Sequence, residues 1–250
     1  MIKRIIVIGN SHAHSFTGSR LSNFGRGEKS TNFLSSYSLG PLSAKSLAKS
    51  KWNLAEKFLI PMKEPSSILV ILSLGENDCR WYIPEESDKG SKKFDVDFAL
   101  HVSDLYLADL LSVMARIQSL GFQVAGWAGH PTPNLPHDEE KVIYGAYDYR
   151  AKISSHWVTE LSKHCNREGF YFLSPMYELL NHSGFPNEQF YVDEWHLNPK
   201  WLSRFLIRSL IDLKIVGRFS FFEFQIQRWG GWIFLSLRKI YRRLRLYLSK

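Results

Sequence analysis

Cysteine is scarce in this chain. There are two in 250 residues, Cys79 and Cys165, at a spacing that builds neither a zinc site nor a disulfide framework. A reducing compartment is therefore expected. Long hydrophobic runs are missing too: no stretch reaches the roughly 18 consecutive apolar residues of a membrane-spanning helix. Met1-Ile2-Lys3-Arg4 leads straight into Ile5-Ile6-Val7-Ile8, and Gly9 cuts that run after four residues, which is not the pattern of a signal peptide. There is no internal repeat and no low-complexity linker. No Gly-Lys-Ser/Thr follows the first glycine turn, which excludes a phosphate-binding loop there.

Acidic residues are nearly absent from one place. From Gly217 to Lys250 stand eight basic residues and a single acid, Glu223, a balance of +7. The remainder holds 24 basic and 23 acidic residues. The body is close to neutral, so no nucleic-acid partner is expected for it, and the tail has a separate task.

What is present fits one α/β domain with an appendage: 44% of residues are hydrophobic and 14% aromatic. Arg4–Ile8 and Ser67–Leu74 are β-branched runs that end in glycine, as buried parallel strands do. Phe33–Leu39, Phe122–Trp127 and Gly169–Leu173 are further strand candidates. Helical periodicity fills the gaps over Pro41–Phe58, Asp97–Leu120, Tyr144–Asn166 and Pro199–Lys214. Strands alternating with helices predict a parallel sheet covered on both faces. Two polar stretches, Arg80–Asp95 and Gly129–Lys141, read as long loops on the sheet edge where α/β folds place ligands. A domain over residues 1–216 and a tail over 217–250 follow.

In the tail, Ile233, Leu237, Ile240, Tyr241, Leu244, Tyr247 and Leu248 alternate with Arg238, Lys239, Arg242, Arg243 and Arg245. This is the pattern of a basic amphipathic helix, suited to an anionic membrane surface; packing on the domain or in a dimer is the alternative.

Three short stretches carry chemistry. Gly9-Asn10-Ser11-His12 follows the first strand and offers a serine hydroxyl at a turn. Gly75-Glu76-Asn77-Asp78 follows another strand and offers an amide that can donate to an oxyanion. Asp193-Glu194-Trp195-His196 offers an imidazole with a carboxylate three residues upstream, which can fix its tautomer. Each alone reads first as an ordinary turn. Together they supply nucleophile, oxyanion donor and base, the needs of acyl transfer.

The order and strand context of these blocks resemble the SGNH, or GDSL-type, hydrolase superfamily over roughly residues 1–215. The family's glycine block finds its match in Gly40, within Ser38-Leu39-Gly40-Pro41. The resemblance implies a three-layer α/β/α sandwich around a flavodoxin-like five-stranded parallel sheet. It implies Ser11 as nucleophile, His196 as base and Asp193 as its orienting carboxylate. The backbone amides of Ser11 and Gly40, with the Asn77 side chain, would form the oxyanion hole. No metal and no cofactor are implied. Asn10 departs from the aspartate usual before the serine. Gly-Glu-Asn-Asp-Cys-Arg resembles a subgroup that accompanies polysaccharide-building enzymes. The expected substrate is therefore an O-acylated, above all acetylated, carbohydrate or lipid-linked carbohydrate.

Other residues near these blocks are expected in ordinary roles. His12 and His14 read as turn histidines rather than metal ligands. Cys79 reads as a buried spectator thiol. Arg80 could hold a substrate carboxylate or pair with Asp78, and the pairing is expected. Trp81, Tyr82, Trp127 and Trp195 suit core packing, or platforms for sugar rings. A hydrolase and an O-acyltransferase would use the same residues, and a catalytically idle scaffold at the membrane is a third reading. The expected location is the cytoplasm, at the inner face of the membrane where the tail binds.

Overall fold

The computed structural model describes residues 2–10, 13, 16, 27–30, 34–40, 42–88, 95–128, 147–182, 186–190 and 197–215. The chain divides into two compact units, Met1–Ser209 and Leu210–Lys250. Of the second, only residues 210–215 are among those described, so the proposed tail helix lies outside them.

Among the described residues six strands form one sheet: β1 (Arg4–Gly9), β2 (Gly27–Ser30), β3 (Leu34–Ser38), β4 (Ile68–Leu74), β5 (Gln123–Ala128) and β6 (Tyr171–Leu173). Their order is β2-β3-β1-β4-β5-β6. The pairs from β3 through β6 are parallel. Those five strands have the flavodoxin-like order expected of the fold. The sixth, β2, was not expected: it pairs antiparallel with β3, from Gly27 opposite Ser38 to Ser30 opposite Ser35.

The central strands are buried on both faces, which explains their continuous apolar sequences. Every residue of β4 is buried, as are Ile5 to Gly9 of β1. Ile6, Ile8, Val70, Leu72 and Val124 belong to one core with residues of α2 (Trp52–Leu59), α4 (Val96–Ser119) and α5 (Tyr147–Glu168). The alternate residues Ile5, Val7, Leu69, Ile71 and Trp127 are also buried. α4 is long and apolar enough to cross a membrane by composition, yet its apolar side lies in this core. Asp95 caps its first turn by accepting from the Phe98 amide. His156 of α5 sits 2.7 Å from Asp104 of α4.

The helix after β3 begins as α1 (Ala44–Ser46), passes through a π-helical turn at Leu47–Lys51 and continues as α2. Ser43 and Ser46 form a reciprocal capping box at its start, each hydroxyl accepting the other's amide at 3.0 Å. A second difference from expectation follows β4. Part of the predicted loop from Arg80 is helical: a π turn at Asp78–Tyr82 runs into α3 (Ile83–Asp88).

Candidate active site

The register fixes where the chemistry-bearing turns leave the sheet. Gly9, the last residue of β1, is level with Ser38 of β3 and Ser73 of β4. Asn10, Gly40 and the Gly75–Asn77 turn therefore emerge side by side at the C-terminal edge, on three adjacent strands. Gly9 itself is held close to β4: a Cβ there would stand 2.4 Å from the Ser73 carbonyl oxygen. The Leu39 amide donates to the Gly9 carbonyl at 2.9 Å, carrying the β1–β3 ladder to the start of the glycine block.

Ser11 lies outside the described residues, and its flanks are anchored. Asn10 is buried, and the Ala13 amide donates back to its carbonyl at 3.0 Å. Phe16 is fully buried and meets Trp127 of β5 edge-to-face, with centroids 4.8 Å apart. Trp127 thus serves the core. His12 and His14 are not described.

Gly40 is buried and holds φ +79, a left-handed conformation that suits glycine. Its amide reaches the Ser38 hydroxyl only at 3.3 Å, a long bond for N–H to oxygen.

The turn after β4 is built around a buried carboxylate. Gly75 has φ +103 and lies against the Trp157 indole. Asp78, fully buried, accepts the Gly75 amide at 3.0 Å with one oxygen and the Ala44 amide at 3.0 Å with the other. One side chain so ties the Asn77 turn to the N-terminus of α1, four residues beyond Gly40. Burial, and to a smaller degree the nearby Glu76 charge, pushes the Asp78 carboxyl up to about 7, against the two backbone bonds that hold it down.

Asn77 opens the helical turn and is half-buried. The Cys79 amide closes the first turn on the Gly75 carbonyl at 2.8 Å, and the Ile83 amide reaches Asp78 in a π-type bond. This winding puts Arg80 on the side of Glu76 and Asn77. Its guanidinium lies 2.6 Å from the Glu76 carboxylate and donates to Asn77 Oδ1 at 2.8 Å. The expected Arg80–Asp78 pair is thus replaced, because Asp78 is turned inward to backbone amides. Arg150, buried at the start of α5, has its pKa lowered by burial first and by the Arg80 charge second.

Cys79 is buried, and burial raises its thiol pKa well above the ordinary value, with the Asp78 charge adding to this. An inert thiol is the result. Trp81 is exposed on the same turn and Tyr82 half-buried.

Asp193 and His196 lie outside the described residues, and so does Trp195. The segment that carries them is bracketed by a 2.7 Å bond from the Asn198 amide to the Phe190 carbonyl. Phe190 packs edge-to-face on Trp201 and Phe205 of α6 (Pro199–Asp212), at 5.3 and 5.7 Å. Sequence reasoning missed Glu76, Trp157 and the inward role of Asp78. An aspartate three residues after a strand-ending glycine was the available signal for the last.

No protein-family model matches the chain, and no curated protein matches it in sequence. Solved structures match its fold. One, from Bacteroides fragilis and assigned as an acylhydrolase, is 16% identical with a TM-score of 0.57 over 86% of this chain and 88% of its own. A GDSL-like lipase from Bacteroides thetaiotaomicron gives 14% and 0.56 over 85% and 89%. An acetylxylan esterase from Geobacillus stearothermophilus, solved as a catalytic mutant, gives 14% and 0.53 over 83% and 94%. The fold is that of the SGNH, GDSL-type hydrolases.

Proposed function

We propose that this SGNH-fold chain is a serine ester hydrolase that removes an O-acyl group, acetyl above all, from a carbohydrate or lipid-linked carbohydrate. The observation that carries the reading is the emergence of Asn10, Gly40 and Asn77 side by side at one sheet edge. These come from three separate sequence blocks, and the Gly40 and Asn77 blocks are joined through Asp78. The fold likeness to acylhydrolases, a lipase and an acetylxylan esterase supports the same chemistry.

In this reading the Ser11 hydroxyl attacks the ester carbonyl while His196 takes its proton, and Asp193 holds the imidazole. The tetrahedral oxyanion receives the amides of Ser11 and Gly40 and the Asn77 side chain. Collapse expels the alcohol, protonated by His196. Water, activated by His196, then clears the acyl-enzyme. The long Gly40–Ser38 bond gives up little when that amide turns to an oxyanion. The mechanism calls on no metal or cofactor. The basic segment 217–250 would bring the enzyme to an anionic membrane at the cytoplasmic face.

A screen of acetyl and longer acyl esters, with fluorophosphonate labelling, tests the proposal. Turnover and labelling should both vanish in Ser11→Ala. Normal esterase activity in that variant would refute Ser11 as nucleophile. An acyltransferase would use the same residues, and adding an acceptor sugar distinguishes it by acyl-sugar formation in place of free acid. Absence of both turnover and labelling in the wild type would leave the idle scaffold.

A further inference from the structure

The amide of Asn77 has two faces, and only one can serve an oxyanion. Nδ2 donates; Oδ1 accepts and would repel a developing negative charge. A rotation of about 180° exchanges them at little intrinsic energy, so a site that uses this side chain needs something to choose between them. Arg80 meets that need. Its guanidinium donates to the Asn77 oxygen at 2.8 Å and is itself held 2.6 Å from the Glu76 carboxylate. Arginine has five N–H donors and no acceptor, and it stays charged. It cannot bond Nδ2, so its contact with the amide is made to Oδ1 in one orientation only.

Spacing makes the arrangement local and firm. Glu76, Asn77 and Arg80 lie on one helical turn, with Arg80 three and four residues after its partners, where side chains meet. The ion pair is mostly buried, with the Arg80 and Glu76 side chains 14% and 5% exposed, so solvent screens it weakly. Glu76 thus anchors Arg80, and Arg80 anchors the amide.

Resting on the esterase reading, we infer that Arg80 is a positioning residue for the oxyanion donor: it locks the Asn77 amide with Nδ2 available to the oxyanion, and Glu76 holds it there. Arg80 need not touch the substrate. Its effect should appear in the transition state and not in ground-state binding.

The test compares wild type, Arg80→Met, Arg80→Lys, Asn77→Ala and Arg80→Met/Asn77→Ala on a small acetyl ester, with melting curves and circular dichroism of each. Arg80→Met should lower kcat by about tenfold, the worth of roughly one charge-assisted hydrogen bond, with KM changed less than about twofold. Arg80→Lys, still a pure donor, should recover much of the loss. In the Asn77→Ala background Arg80→Met should lower kcat no further, because no amide is left to orient. Should Arg80→Met fail to fold once Glu76 loses that ion pair, Arg80→Met/Glu76→Gln is compared with Glu76→Gln in its place.

Equal kcat losses with and without Asn77 would overturn the inference, as would a loss confined to KM. An unchanged kcat in Arg80→Met alongside a large loss in Asn77→Ala would also overturn it, leaving the esterase reading intact. A wild type that neither turns over nor labels, or an Asn77→Ala variant with normal kcat, removes the oxyanion role itself and the inference with it.

Discussion

Replacing Gly75 by alanine should destabilise the fold through two separable effects. The first is backbone strain. Gly75 has φ +103, which even the left-handed region of L-residues does not reach, and occupying that region already costs about 1–2 kcal/mol. The second is steric. The new Cβ would stand 2.4 Å from Trp157 Nε1 and 2.6 Å from Cε2. Trp157 is only 2% exposed, so its ring cannot swing aside into water, and such overpacking costs about 1–3 kcal/mol. The sum is roughly 2–5 kcal/mol. In a domain of this size each kcal/mol lowers Tm by about 2–4 °C, so a fall of roughly 10 °C is expected by circular dichroism. Gly169→Ala supplies the control: φ there is +73, but nothing lies within 4 Å of the added methyl, so only the strain remains, about 1–2 kcal/mol. Gly75→Ala/Trp157→Phe should regain part of the loss, because the smaller ring withdraws the atoms in the clash. If Gly75→Ala melts no lower than Gly169→Ala, the close packing of the turn on Trp157 is refuted.

Three further outcomes are expected. Asp78 binds its proton more tightly folded than unfolded, its pKa rising from 3.8 to about 7, so its contribution to stability is fully present below pH 4 and is lost as pH rises towards 7. At about 1.4 kcal/mol per pKa unit this amounts to at most ~4 kcal/mol. Asp78→Asn should flatten that part of the Tm–pH profile, and identical profiles for the two proteins would refute the assignment. Asn77→Ala should lower kcat by about 10²–10³, as loss of an oxyanion donor does, measured on a soluble acetyl ester. Removing residues 217–250 should abolish binding to vesicles rich in anionic lipid at low salt while sparing hydrolysis of that ester; unaltered vesicle binding, measured by co-sedimentation, would refute the role of the tail.

The two central strands were legible because burial on both faces forces apolar, β-branched runs. Ile5–Ile8 and Ile68–Leu74 announce themselves, and expected ends fall within a residue or two of the observed ones. Strand β2 has no such signal: Gly-Glu-Lys-Ser owes its pairing to β3 and not to its own propensity. The helical turn after β4 was missed because the polar stretch from Arg80 read as a loop; Pro84 within it is compatible with a helix, since proline is tolerated in the first turn. The placement of the Gly40 and Asn77 blocks at one edge was legible from their strand contexts. The partner of Arg80 was not, since nearness in sequence favoured Asp78. On a helix residues two apart face different ways, while those three and four apart share a side, and that geometry selects Asn77 and Glu76. The Asp78–Ala44 bond spans 34 residues, a separation that no local pattern encodes.

The two outer strands of the sheet bear on how the protein behaves at high concentration. An open edge is a template on which another chain can grow. Among the described residues, one outer strand is β6, only three residues long, and the other is β2, four residues of which two are charged. The long apolar strands β1 and β4 lie inside, with both backbone sides already paired. These two apolar, β-branched segments are thus poorly placed to recruit a second molecule from the folded state. Association through β1 or β4 would first require loss of the strands outside them.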